Sequence, residues 1–165
     1  MHTEPTLIGA APRPRQTIDL LGPRIQVVTA LDGSDETPCV LVGTIPGGGM
    51  VPLHSHPDPE TFVTRAGTVE ALLSLHDGPR WVALVPGDVL HIPAGVRHAF
   101  RNRCADAAVS VVVTTTRLGR FFGEAGAAVL DAPGPAAVRH FLAVAERYGH
   151  WNATPAQNAE VGLEL

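Results

Sequence analysis

The chain has 165 residues, 45% of them hydrophobic and 17% charged, and its 12 Lys and Arg against 16 Asp and Glu give a formal net charge of −4. That length fits one domain, able to bury roughly 70% of its unfolded surface without disulfide staples. No basic stripe or acidic run marks it for nucleic acid or a membrane surface, and no stretch approaches the roughly 20 apolar residues that span a bilayer.

Residues 1–16, MHTEPTLIGAAPRPRQ, are Pro-rich and aperiodic and read as an extended arm. They lack the basic start and apolar run of a signal peptide, so a cytoplasmic location is expected. The 17 Gly and 15 Pro are scattered as punctuation between short apolar runs, as in an all-β sandwich or barrel. The first run is 25–31 (IQVVTAL), followed by a turn-rich loop and then 39–45 (CVLVGTI). After PGGG at 46–49 comes the segment carrying His54 and His56, then 60–67 (ETFVTRAG) and 68–75 (TVEALLSL). A turn at 76–79 leads to 80–85 (RWVALV), 89–93 (VLHIP) and 97–102 (RHAFRN). Residues 108–116 (AVSVVVTTT), almost all Val, Thr or Ser, are the strongest β run. The period changes after Leu118: RFFGEAG reads as a short helix or turn, and 135–149 has helical spacing with Val138, Phe141, Leu142, Ala145 and Tyr148 on one face. Pro135 and Gly149 stand where a helix start and stop belong. About nine short strands followed by a helical tail give the expected layout: arm 1–16, barrel 17–118, tail 119–165 packed on the barrel.

The chemistry concentrates in four residues. His54 and His56 are two apart, so on a strand both imidazoles share a face. Pro57 and Pro59 break the ladder and let Glu60 start the next strand facing the same point. His98 joins by folding. Three neutral imidazoles and one carboxylate suit a divalent transition metal, and a six-coordinate ion so held keeps two positions open for substrate or oxygen.

Residues 48–67, GGMVPLHSHPDPETFVTRAG, fit G-x5-H-x-H-x3-E-x6-G, and residues 87–102, GDVLHIPAGVRHAFRN, fit G-x5-P-x-G-x2-H-x3-N. These are the two cupin motifs, and over about residues 25–149 the chain resembles the single-domain, quercetinase-like cupins. The resemblance implies an all-β double-stranded β-helix, the cupin jelly-roll barrel, with a short α-helical C-terminal tail. It implies His54, His56, Glu60 and His98 as ligands of one ion (Fe, Mn, Ni, Co, Zn or Cu) and a homodimer. It further implies a dioxygenase acting on a small enol- or phenol-bearing substrate, with Glu60 as ligand alone or as ligand and catalytic base. A metal-dependent isomerase, cyclase or lyase of secondary metabolism, and a non-catalytic small-ligand-binding cupin, are the alternatives.

Around that set, Phe62, Thr64 and Phe100 share strand parity with the ligands, either as pocket lining or as core. Phe121 and Phe122 pack the tail onto the barrel or lid its mouth. Trp81 is core, or faces a partner subunit. His91 has a structural or solvent role, with a pocket role as the alternative. His2, His76, His140 and His150 read as surface histidines, and the final residues, from His150 on, match nothing. Cys39 and Cys104 are expected reduced and structural, and Asn102 is placed to cap a turn.

Overall fold

The computed structural model describes residues 17–75, 78–126 and 134–164, so the arm at 1–16 and the histidines His2 and His76 lie outside the described residues. Eleven strands follow one another among the described residues: β1 (Thr17–Asp19), β2 (Arg24–Val27), β3 (Pro38–Ile45), β4 (Met50–Ser55), β5 (Glu60–Ala66), β6 (Val69–Leu75), β7 (Gly78–Leu84), β8 (Val89–Ile92), β9 (His98–Arg101), β10 (Ala108–Thr115) and, far along the chain, β11 (Trp151–Asn152). Three helices, α1 (Thr116–Ala125), α2 (Pro135–Arg147) and α3 (Pro155–Glu160), lie around β11 in sequence. None is long and apolar enough to cross a membrane.

The strands form two antiparallel sheets, ordered β1-β2-β3-β10-β5-β8 and β11-β4-β9-β6-β7. Their facing sides make the jelly-roll interior. Alternation along each strand decides which residues enter it. Val69 and Ala71 of β6 point inward with Leu84, Ile92, Phe100 and Ala108. Leu72, the residue after Ala71, faces the other way and packs with Leu163. Ile25, Cys39, Leu41 and Val112 fill the six-stranded side. The valine-rich run at 108–115 earns its central place, pairing with β3 on one edge and β5 on the other. Asn102 is fully enclosed: its amide donates to the carbonyls of Ile45 and Asp106, and its side-chain oxygen accepts from the Cys104 amide. Both cysteines are free.

Several expectations shift. The first run ends at Val27 rather than Leu31, and a short β1 pairs with it. The helix expected at RFFGEAG starts at Thr116, because the Thr115 hydroxyl caps it by accepting from the Leu118 amide. Helix α2 has its proline at the start, as expected, and Phe141, Ala145 and Tyr148 of its expected face pack against α1. Val144 and Ala145 are buried against Leu118 and Phe121, while Val138 and Leu142 stay 40% and 46% exposed.

The final residues are built structure. Strand β11 adds to β4, with Trp151 opposite Ser55 and Asn152 opposite His54. Thr154 and Gln157 form a reciprocal capping box that starts α3 behind Pro155. Asn158 is fully buried; it accepts from the Leu53 amide and donates to the carbonyls of Ala153 and Thr154. Trp81 is covered by this same segment, its indole N–H donating to the Val161 carbonyl and its ring lying under Arg101.

Candidate metal centre

His54 sits near the end of β4 and pairs across the sheet with His98, the first residue of β9. A register shift between Val51 and His54 re-aims the end of β4, and His56 follows one residue beyond it. Their rings converge: centroids lie 4.2 Å apart for His54 and His98, 5.2 Å for His56 and His98, and 5.5 Å for His54 and His56. One nitrogen from each falls within 4.8 Å of the other two. Glu60 opens β5 opposite Ile92 and sets a carboxylate oxygen 3.2 Å from His56 Nε2 and 3.4 Å from His98 Nε2.

Backbone carbonyls fix which nitrogen of two rings is free. His54 Nδ1 donates to the Pro52 carbonyl and His98 Nδ1 to the Val96 carbonyl, each at 2.8 Å. A carbonyl only accepts, so the proton sits on Nδ1 and the Nε2 lone pair is left for a cation. His98 Nε2 is buried without a hydrogen-bond partner, and so is His56 Nδ1. Burial pushes the His54 pKa well below its ordinary value, helped by the neighbouring His98 and His56. Burial opposes charge on His56 and Glu60 too, but their mutual hydrogen bond and attraction win, raising the histidine and lowering the carboxylate. Three imidazoles, two of them with Nδ1 tied to backbone carbonyls, and an anionic carboxylate fit a divalent transition metal.

The loop between His56 and Glu60 is pinned from outside the sheet. Asp58, 4% exposed, accepts from the Thr115 hydroxyl and from Arg117, both at 2.5 Å. The Thr114 hydroxyl donates to the Pro59 carbonyl, and the His56 carbonyl accepts from the Gly95 amide. Arg117 also donates to the Tyr148 carbonyl, so one guanidinium ties the ligand loop to the end of α2. Neither Asp58 nor Arg117 was singled out from the sequence. Asp58 lay in plain view between His56 and Glu60, while Arg117 becomes visible only once Thr115 and Asp58 are neighbours.

The cluster opens into a cavity of about 690 Å³. Its barrel portion is walled by Phe62 and Phe100, stacked 4.8 Å apart, with Val51, Val69, Leu84 and Val112. Phe121, Phe122, Leu118, Val138, Phe141 and Leu142 line its helical side. Phe121 is buried in the α1–α2 contact, so the aromatic pair both packs the tail and walls the cavity. Thr64 is buried in β5 but is not among the lining residues. His91 is exposed on β8 and bonds Thr61, and His140 is exposed and bonds the Glu124 carbonyl.

His150 overturns its surface assignment. It lines the cavity, its ring lies 5.1 Å from His56 and 4.0 Å from Phe121, and its Nε2 is buried with no partner. Burial pushes its pKa down to about 3. The signal missed was Thr154-Pro155-Ala156-Gln157, a helix start that marks the segment after His150 as ordered.

Residues 41–114 match the family model of the cupin domain. Among solved structures, the polyketide cyclase RemF from Streptomyces resistomycificus aligns at TM-score 0.56 and 16% identity, over 67% of this chain and 80% of that one. An RmlC-like cupin from Shewanella frigidimarina aligns at 0.53 and 15%, over 69% and 92%. An oxalate decarboxylase from Bacillus subtilis aligns at 0.52 and 17%, over 61% of this chain and 27% of that one. At these identities the likeness establishes the fold. No curated protein matches the chain.

Proposed function

We propose that this barrel is a cupin domain and a metal-dependent enzyme, a reading supported by the family match over residues 41–114. His54, His56, His98 and Glu60 hold one divalent transition ion, and the substrate is a small, largely apolar organic molecule carrying an enol or phenol oxygen. The observation that carries this reading is the cluster's position. Three convergent imidazoles and a buried carboxylate form a polar patch in the wall of an otherwise mostly apolar cavity. Of the other charged groups on that wall among the described residues, Arg24 and Glu164 are exposed.

A bound ion of this kind supplies Lewis acidity toward a substrate oxygen and, for redox metals, access to dioxygen. The protein does the rest. Phe62 and Phe100 hold the substrate's apolar body and exclude water. The Pro52 and Val96 carbonyls keep two imidazoles in the ligating tautomer. Glu60, anionic and adjacent to the cluster, can take the proton of the substrate hydroxyl, which is the base role added to its ligand role. The reaction class we assign is dioxygenation.

Oxygen uptake with a flavonol, measured on iron-, nickel- or cobalt-loaded protein, tests the assignment. Uptake matched to substrate loss supports it. Turnover that persists without oxygen moves the enzyme to non-redox isomerisation, cyclisation or elimination. Glu60→Gln that keeps its metal and loses turnover supports the base role, and loss of metal reduces Glu60 to a ligand. The exposed Val89 and Val113 of the six-stranded sheet support a homodimer as the working unit, read by light scattering.

A further inference from the structure

His150 is placed by the tail, not by either histidine motif. After α2, Gly149 takes a left-handed φ of 75°, which turns the chain back toward the barrel. Strand β11 then pairs with β4. Extending that register by one residue sets His150 opposite His56. The backbone on both sides is held: the Tyr148 carbonyl by Arg117, the His150 amide by the Ala145 carbonyl, and the Ala153 amide by the Leu53 carbonyl. The ring itself lies against Phe121 at a 39° tilt. A residue so tightly positioned, lining the cavity and carrying a buried Nε2 with no hydrogen-bond partner, is a polar group left unsatisfied.

We propose that His150 is a ligand-binding residue of this cavity. Its imidazole hydrogen-bonds a hydroxyl or carbonyl oxygen of a substrate whose adjacent oxygen is held at the His54, His56 and His98 cluster. The substrate class narrows accordingly to molecules with two vicinal oxygens, an enediol, catechol or α-hydroxy-ketone edge, on an apolar body. This rests on the reading of the cluster as the metal-dependent substrate site. A plain packing role, with the ring as an aromatic spacer between Phe121 and His56, makes the opposite forecast for conservative variants.

The test is calorimetric titration of 4-nitrocatechol into the zinc-loaded full chain, with zinc stoichiometry and thermal midpoint read alongside. His150→Phe keeps the stacking surface and removes the ring nitrogens. It is expected to bind zinc as the wild type does and the probe about tenfold more weakly. His150→Gln keeps a donor and an acceptor and is expected to stay within about threefold. In the wild type, the His150 ring nitrogen resonances are expected to move when the probe is added, a readout that needs no variant. Zinc bound normally but equal probe affinity in wild type and His150→Phe, or His150 resonances that stay still while the probe binds, overturns the assignment of His150 alone. A wild type that takes up no zinc overturns the metal-centre reading and this assignment with it.

Discussion

Strands β3 to β10 and the segment from His150 to Glu164 wall the same cavity by different physical means. The strands place their ligands through alternation and pairing. His54 meets His98 because β4 pairs β9, and Glu60 arrives because two prolines free it to open β5. The tail places His150 through a short strand, a capped helix and one buried asparagine. The family match, residues 41–114, covers the first region and stops before the second. The barrel thus carries the proposed ion-binding set, while Leu20, Leu21, α1, α2 and the tail, all outside that span, line other parts of the cavity.

The sharpest way to break this division is to cut the link between the regions. Arg117→Met removes the guanidinium that joins Asp58 to the Tyr148 carbonyl and strands a buried carboxylate. A loss of about 3 kcal/mol in urea unfolding is expected, with weaker metal retention because the His56–Glu60 loop loosens. Wild-type stability in this variant contradicts the link.

Next in size is the tail's own anchor. Asn158→Ala leaves the Leu53 amide and the Ala153 and Thr154 carbonyls to find other partners. It should cost about 2 kcal/mol. Amide exchange should quicken at Leu53 and Ala153 while β6 and β10 stay protected. Uniform quickening would mean that the two regions unfold as one.

A pH shift acts on both regions. His54 and His150 are held neutral in the fold, with pKa values below that of the unfolded chain. Below about pH 6.5 the unfolded state therefore binds more protons than the native state, and stability falls with falling pH down to about 3. The raised pKa of His56 acts oppositely, but its contribution is complete below about 6.5 and changes only above it. The urea midpoint of the metal-free protein should be lower at pH 5 than at pH 7; an equal or higher midpoint contradicts the neutral assignment. The smallest effect belongs to His91, exposed on β8 and bonded to Thr61. His91→Ala should change stability by less than about 0.5 kcal/mol and leave metal content untouched.

The same division explains what could be read from the sequence. Gly48, Gly67, Gly87 and Gly95, the glycines of the two motifs, all stand at positive φ. Gly67 also leaves no room for a side chain, since a Cβ there would lie 2.4 Å from the Ala107 carbonyl oxygen. Such positions admit few residue types, so their spacing survives as legible text. The four proposed ligands stand in the same kind of fixed frame. His150 does not: its place depends on Gly149, on the β11–β4 register and on Asn158, which neither motif includes. The α2 face was read only in part for a related reason. Its expected apolar stripe includes Val138 and Leu142, which serve the cavity wall rather than the helix–helix contact.

The central claim is that the four-residue cluster is a metal centre. Elemental analysis of the wild type and of His98→Ala, each stripped with chelator and reloaded with a single divalent transition metal, tests it most directly. The account predicts about one tightly held ion per chain in the wild type and almost none in a folded His98→Ala protein. A wild type that retains no ion after desalting, or a His98→Ala protein that retains as much as the wild type, would contradict it.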